Sequence, residues 1–391
     1  MEDVHQKQVE LVNIAEKCGF HSKEVQRMQI LLSRSLNFAL LAVRKTTLNS
    51  ESRTPGVDVD NKIIRASSSE QEKLTMVKEI QKLAVSATYK NEPVKNVQIT
   101  LANGKTRTVG IPTIKDRCLQ SLINLILEPL VECRSDNHNY GYRKHRSAKH
   151  ALGYLLKYSR FNVEDKYVLY ADIKGFFDNI SHDWLLTNLP LPGIHKKVLE
   201  KWMKANMFSR EGVHDRELDT PQEGIISPTI INFTLNGLEK VIENSTSTVT
   251  KSKLKAKGLR SMVKINLGVV TVRYADDFVV TARSKYLIKT FIMPEIEKFL
   301  KNRGLELSKE KTKIITLKEG LDFLGYTFKY QEQWKVREHF FKERIGRDGI
   351  ALYPQKKKVY NIITKLRKIF RKSSNDTAYT LIFKLNPILR G

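Results

Sequence analysis

Apolar residues recur at three- and four-residue steps from Ser22 to about Thr47 (Val25, Met28, Leu31, Leu32, Leu36, Leu40 and Val43). This predicts one amphipathic helix with Arg27, Arg34 and Arg44 on its outer side. The turn-rich stretch SRTPGVDVDN, Ser52 to Asn61, breaks the pattern, and a second helical period covers Glu70 to Ala87. A strand at Val94–Ile99 leads into ANGK, a good hairpin turn, and residues 105–117 read as strand, Gly-Ile-Pro corner and helix from near Lys115. That helix continues through LQSLINLILEPLVE, apolar on most sides and so part of a core. YVLYAD is a strand ending on Asp172, and Ser181 caps a helix through SHDWLL. Thr220–Pro228 is a loop broken by Pro and Gly before an apolar helix, PTIINFTLNGLEKVI, and Ser245–Arg260 reads as a mobile polar and basic insertion. Two β-branched and aromatic runs, VVTVRY and FVVTA, then flank Ala275-Asp276-Asp277 as a hairpin. A helix over Tyr286–Arg303, a turn and strand pair over Gly304–Lys313 and Asp322–Phe328, and a Lys-rich helix, Lys356–Lys372, complete the pattern.

Adjacent carboxylates at a hairpin tip repel, which raises one of their pKa values. A divalent cation removes that cost, and Mg²⁺ usually takes one or two carboxylates together with substrate phosphates. An isolated Asp-Asp turn reads best as solvated. Here the pair lies between apolar strands, and strand-borne Asp172 supplies a third carboxylate, so a metal site is favoured. Such a trio serves in-line displacement at phosphorus, in a polymerase or a nuclease alike.

The net charge of +26, from 68 Lys+Arg against 42 Asp+Glu in 391 residues, changes the picture by pointing to a polyanionic partner. Residues 329–391 hold 16 Lys+Arg and 5 acids, a local balance of +11. Tyr140-Gly-Tyr-Arg-Lys-His-Arg146 combines aromatic and basic side chains, and Arg143 and Arg146 are candidates to follow a phosphate backbone; a solvated loop is an equal reading of this stretch. Cys18, Cys118 and Cys133 are widely spaced and odd in number, which indicates neither a disulfide framework nor zinc and fits a reducing compartment. No apolar run is long enough to span a bilayer, and the polar N-terminus resembles no secretory signal.

The ordered blocks GIPTIKDR, ADIKGFFDNISHDWL, TPQEGIISP, YADDF, GLELSKEKT and DFLGYTF resemble those of reverse transcriptases, and with RTPGVD as an N-terminal extension block they are similar to the group II intron-encoded type. The resemblance covers nearly the whole chain from about Gln26. It implies an α+β right-hand polymerase. Residues 1–160 would form an N-terminal extension and fingers, and 161–328 a palm with an antiparallel sheet packed by helices. The shared reverse transcriptase domain would cover about 90–328, with 329–391 opening a basic, mostly helical and incomplete thumb and maturase region. No His/Cys cluster for an HNH endonuclease follows.

The resemblance also implies roles. Asp172, Asp276 and Asp277 carry catalysis and, with the carbonyl of Ile173, hold two Mg²⁺ ions, for which Mn²⁺ is a substitute. Lys105, Arg107 and Gln222 contact the dNTP, and Phe177 is the steric gate against a ribose 2′-OH, although an FF pair at a strand end is more often core. Tyr274, Ala275 and Lys311 lie at the primer end, while Asp178 and Asp183 are capping or structural. The implied function is RNA-directed DNA polymerisation (a nucleotidyltransferase reaction) that copies group II intron RNA for retrotransposition. Binding of that RNA would assist splicing, a form of mRNA processing. Partners are intron RNA, primer-template and dNTPs, with dimerisation left open. The setting is a prokaryotic cytoplasm, or an organellar matrix or stroma, without secretion. Rival readings are a non-catalytic splicing maturase and a reverse transcriptase of a retron, diversity-generating or CRISPR-linked system.

Overall fold

The computed structural model describes residues 2–48, 56–58, 64–100, 106–159, 166–205, 224–246, 268–331 and 349–390. The polar opening of the chain is itself a helix, α1 (Glu2–Cys18), which buries Val4, Gln8, Leu11 and Ala15. The single helix expected from Ser22 is two, α2 (Lys23–Arg34) and α3 (Leu36–Leu48), because Ser35 is extended at φ −67°, ψ 131°. The break lets each segment aim its own apolar face inward, Val25 and Leu32 from α2 and Phe38, Ala39, Ala42 and Val43 from α3, while Leu31 and Leu36 stay exposed. Ser22 caps α2, its side chain accepting from the Val25 amide. α4 (Glu70–Ala84) starts on a capping box between Ser69 and Glu72 and stops three residues short of Ala87.

Strands β1 (Lys95–Thr100) and β2 (Thr106–Ile111) form an antiparallel pair, and the ANGK turn lies outside the described residues. α5 (Ile114–Glu132) is capped by Thr113 and is buried along most of its length, as its apolar composition requires. The next elements are α6 (Ala148–Ser159), β3 (Tyr167–Ala171), α7 (Phe176–Asn179), α8 (His182–Asn188) and α9 (Gly193–Lys204). The long apolar helix expected after Pro228 is divided into α10 (Ser227–Leu235) and α11 (238–246) by extended Asn236 and by Gly237 at φ 88°. Strands β4 (Val270–Tyr274) and β5 (Asp277–Ala282) make the expected hairpin. The helix that follows begins as α12 (Lys285–Leu287), widens to a π-turn over Ile288–Ile292, and continues as α13 (Met293–Lys301). Pro294 explains the widening: it has no N–H to give and its ring crowds the carbonyl four residues back. β6 (Lys313–Thr316), β7 (Leu321–Phe323), β8 (Tyr326–Gln331) and β9 (Gly349–Pro354) precede α14 (Lys356–Lys372) and α15 (Ala378–Arg390).

The main sheet is antiparallel throughout, in the order β4-β5-β3-β6, and β7-β8-β9 form a second sheet. Helices cover one face of the main sheet, where Leu169, Ala171, Phe278 and Val280 join a core that runs from Val4 to Leu305. The other face sends Val168, Val272 and Val279 into a smaller core with α6 and the second sheet. A sheet buried on both sides needs unbroken apolar strands, which is why VVTVRY and FVVTA lack the alternation of a half-exposed hairpin.

Candidate active site

β3 and β5 pair with Ala171 opposite Phe278, so one further step in the register sets Asp172 beside Asp277. Both residues share the side-chain parity of Tyr170 and Val279 and therefore project from the same face. Asp276 occupies the two-residue loop between β4 and β5, next to Ala275, whose φ of 57° is unusual for a residue with a Cβ. Asp172, Asp276 and Asp277 are 3%, 2% and 5% exposed, so three carboxylates are gathered in a largely desolvated corner. Tyr170 lies among them, with its hydroxyl 3.4 Å from Asp277 Oδ1. Burial and the neighbouring charges of Asp277, Asp172 and Asp276 push the phenol pKa well above its usual value, so Tyr170 remains a neutral donor. Lys311 reaches in from the rim, placing Nζ 3.2 Å from Asp172 Oδ2.

Two segments remote in sequence hold the carboxylate-bearing backbone. Residues 138–141 run along the outer edge of β4. Arg273 donates its amide to the His138 carbonyl (2.9 Å), and Tyr140 donates to the Arg273 carbonyl (2.8 Å). The buried Arg273 side chain turns back to the hairpin and donates to the Ala275 carbonyl (3.2 Å) and to Asn232 Oδ1 (3.3 Å). Burial pushes its pKa down to about 10, opposed by the charges of Asp136, Glu239 and Asp276, which leaves it cationic at neutral pH. Asn232 Nδ2 donates to the Gly141 carbonyl (3.0 Å), and Asn139 Nδ2 donates to Asn232 Oδ1 (2.9 Å). On the other side, residues 304–308 pair with the chain after β3: Lys174 N donates to the Glu306 carbonyl (3.0 Å) and Ser308 N to the Asp172 carbonyl (2.8 Å). The buried Ile173 bridges Leu307 within this pairing.

Hard carboxylate oxygens on adjacent strands suit Mg²⁺ in residue type and burial. Among the described residues no group of three or more His, Cys, Asp or Glu side chains is arranged so that it could hold a metal ion. Mg²⁺ needs no such group, since it usually takes one or two carboxylates together with substrate phosphates, and the fit here is one of donor chemistry. Phe177 follows on α7, half-buried and edge-on to the buried Phe176 with centroids 5.1 Å apart. Tyr274 is half-buried and Ala275 buried at the hairpin, while Asp178 and Asp183 are exposed. Lys105 and Gln222 lie outside the described residues, and only the backbone of Arg107, in β2, is described.

Arg143 corrects the reading of the basic loop as a surface for phosphate. Its guanidinium is turned inward, donating to both carboxylate oxygens of Glu132 and to the carbonyls of Asp136 and Asn139. Arg146 is half-buried and donates to the carbonyls of Asn137 and Asn139, with its guanidinium carbon 5.5 Å from the Tyr140 ring centre. The sequence reading missed Tyr170, Asn232 and Gly141. Only the first carried a signal, since it lies two residues before Asp172 and therefore on its side of a strand.

A family model described as reverse transcriptase (RNA-dependent DNA polymerase) matches residues 90–328. The group II intron-encoded protein LtrA of Lactococcus lactis subsp. cremoris is 27% identical over 310 residues, 67% of this chain and 51% of that protein. Protein YkfC of Escherichia coli is 26% identical over 331 residues, 78% of this chain and 83% of that protein. A putative COX1/OXI3 intron 2 protein of Saccharomyces cerevisiae is 24% identical over 291 residues, 64% of this chain and 34% of its own length. The chain thus spans about half the length of the Lactococcus relative.

Proposed function

The chain belongs to the reverse transcriptase (RNA-dependent DNA polymerase) family, and from that premise we propose that it polymerises DNA on an RNA template in the service of a group II intron. The observation that carries this reading is the set of three buried carboxylates brought together by the register of β3, β5 and the hairpin. In it, Asp172, Asp276, Asp277 and the Ile173 carbonyl hold Mg²⁺. When bound, Mg²⁺ supplies activation of an attacking hydroxyl and neutralisation of phosphate charge. The protein's own part is positioning. Tyr170 donates to Asp277, Arg273 fixes the hairpin, and Lys311 lends positive charge at the rim. Phe177 limits the space beside the sugar, and Lys105, Arg107 and Gln222 hold the nucleotide. Tyr274 and Ala275 face the primer end, and Arg146 belongs to the template side. α14 and α15 open the thumb of the right hand. The RNA partner is the intron itself, bound through basic surfaces by shape and phosphate contacts.

The test is primer extension on an RNA template with dNTPs and Mg²⁺, comparing the wild type with Asp276→Ala. Extension by the wild type alone is expected. Two inactive proteins that both bind intron RNA tightly would favour a splicing cofactor without catalysis, and extension that survives Asp276→Ala would move the metal site elsewhere.

A further inference from the structure

Between Asp136 and Glu164 the sequence contains no acidic residue, while it holds Arg143, Lys144, Arg146, Lys149, Lys157 and Arg160. Part of this run is α6, which buries Ala151, Leu152, Leu155 and Ser159 and exposes Lys149, His150, Gly153 and Lys157. Positions 149, 153 and 157 are four residues apart and stack along one side of the helix. Among the described residues neither lysine pairs with a carboxylate, and Lys157 Nζ lies 5.8 Å from the ring centre of its exposed neighbour Tyr158.

Gly153 is the feature that the fold leaves unexplained. A glycine inside a helix gives up more conformational freedom on folding than alanine does, so it needs a compensating reason. Where packing supplies the reason, a neighbour occupies the place of the missing Cβ, as Tyr274 and Ala275 do at Gly141. At Gly153 an added Cβ would meet nothing within 4 Å. Its backbone is instead open to close approach from outside, with one cation a turn before it and one a turn after. Eight residues of helix between those cations span about 12 Å. A duplex strand carries a phosphate roughly every 3.4 Å of axis, so one strand can meet both lysines.

We propose that the outer face of α6 is a docking surface for an RNA phosphate backbone, with Lys149 and Lys157 pairing with phosphates and Gly153 as the point of closest approach. The choice of RNA rests on the polymerase reading above, but the surface is separate from the three carboxylates and stands on its own geometry. Tyr158, 42% exposed beside Lys157, offers a ring to an adjoining base or sugar.

The test measures binding of a labelled RNA stem-loop, and of a DNA stem-loop of the same sequence, by anisotropy over a KCl series. The proteins are the full chain, Gly153→Ala, Lys149→Gln/Lys157→Gln, and a control with the same charge change on α13, Lys298→Gln/Lys301→Gln. Gly153→Ala is expected to melt at a higher temperature than the wild type yet bind the RNA several-fold more weakly, a combination that a purely structural glycine does not give. The α6 double variant is expected to reduce the slope of log K against log salt by about 1.8, the share of two phosphate contacts on a duplex, and the control to leave it unchanged. Wild-type RNA affinity in Gly153→Ala, or a salt slope in the α6 variant equal to that of the control, overturns the proposal. Equal losses on the DNA stem-loop overturn its commitment to RNA. Primer extension run alongside separates the two readings. A wild type that extends a primer while its α6 variants bind normally sinks only the docking surface. A wild type that neither extends nor binds RNA sinks both.

Discussion

Replacing Gly141 with alanine places a methyl group where the β4–β5 hairpin already runs. The new Cβ would lie 2.9 Å from the Tyr274 carbonyl carbon and nearer still to the Ala275 amide nitrogen. Ordinary contact begins at 3.4 Å, so one backbone must move away from the other. Gly141 has little freedom to yield, because Asn232 holds its carbonyl at 3.0 Å and the adjacent Tyr140 amide is bonded to Arg273 at 2.8 Å. The hairpin therefore gives way, by about 1 Å, and carries Asp276 and Asp277 with it. A misplacement of that size costs on the order of 10²-fold in rate. Overpacking a buried position typically costs about 1–3 kcal/mol of stability as well, which leaves a protein able to fold at moderate temperature. The assay is single-turnover primer extension paired with a thermal melt, with Gly193→Ala as a control whose added Cβ meets nothing within 4 Å. The expected result is a kcat about 100-fold lower with primer-template affinity largely kept. A Gly141→Ala protein with wild-type kcat would show that residues 138–141 do not fix the hairpin.

Gly304→Ala should destabilise the protein by 2 kcal/mol or more (roughly), because its φ is +75° and its Cβ would sit 2.7 Å from the Asn179 carbonyl oxygen; a denaturant melt checks this. His195 is fully buried with neither ring nitrogen hydrogen-bonded among the described residues, and burial pushes its pKa down to about 4 from 6.5. The unfolded chain therefore takes up a proton that the native chain refuses, so stability is complete above pH 6.5 and falls by about 3 kcal/mol toward pH 4; His195→Leu should flatten that part of the stability–pH curve. If Phe177 excludes the 2′-OH, Phe177→Ala raises incorporation of ribonucleotides relative to deoxyribonucleotides in competition assays while leaving dNTP extension measurable. Chelation of Mg²⁺ should stop extension and lower the melting temperature only modestly, because the repulsion it unmasks among the three carboxylates is opposed by the backbone pairings on either flank.

What the sequence made legible was local. The hairpin, the strand ending on Asp172, the buried helix after Pro112 and the Lys-rich helix Lys356–Lys372 all follow from periodicity and caps within a dozen or so residues. The break at Ser35 was not legible, since serine is no strong breaker and the apolar spacing continues across it. The break matters only because two packing directions diverge there. Arg143 was misread for a related reason. In a run of basic residues its neighbours suggest solvent, whereas its partner is Glu132, eleven positions upstream and on another element. Contacts between the 138–141 segment and Arg273 cross more than a hundred residues, and no spacing rule reaches that far.

Those long-range contacts bear on how the site is kept in register. Asp172 leaves β3 just where the strand ends, and its carbonyl is caught by Ser308; Asp276 stands on a two-residue loop with Asp277 opening β5 just after it, and that loop is caught by Arg273 through the Ala275 carbonyl. Neither half of the carboxylate set is held by its own strand alone. Repulsion among three buried carboxylates pushes the halves apart, and a loop with an alanine at φ 57° adds strain of its own. Pairing on opposite flanks, by 304–308 on one side and 138–141 on the other, opposes both forces without placing any further side chain between the carboxylates. Mg²⁺ usually takes only one or two carboxylates beside substrate phosphates, so what such a set needs is its spacing kept rather than a cage built around it.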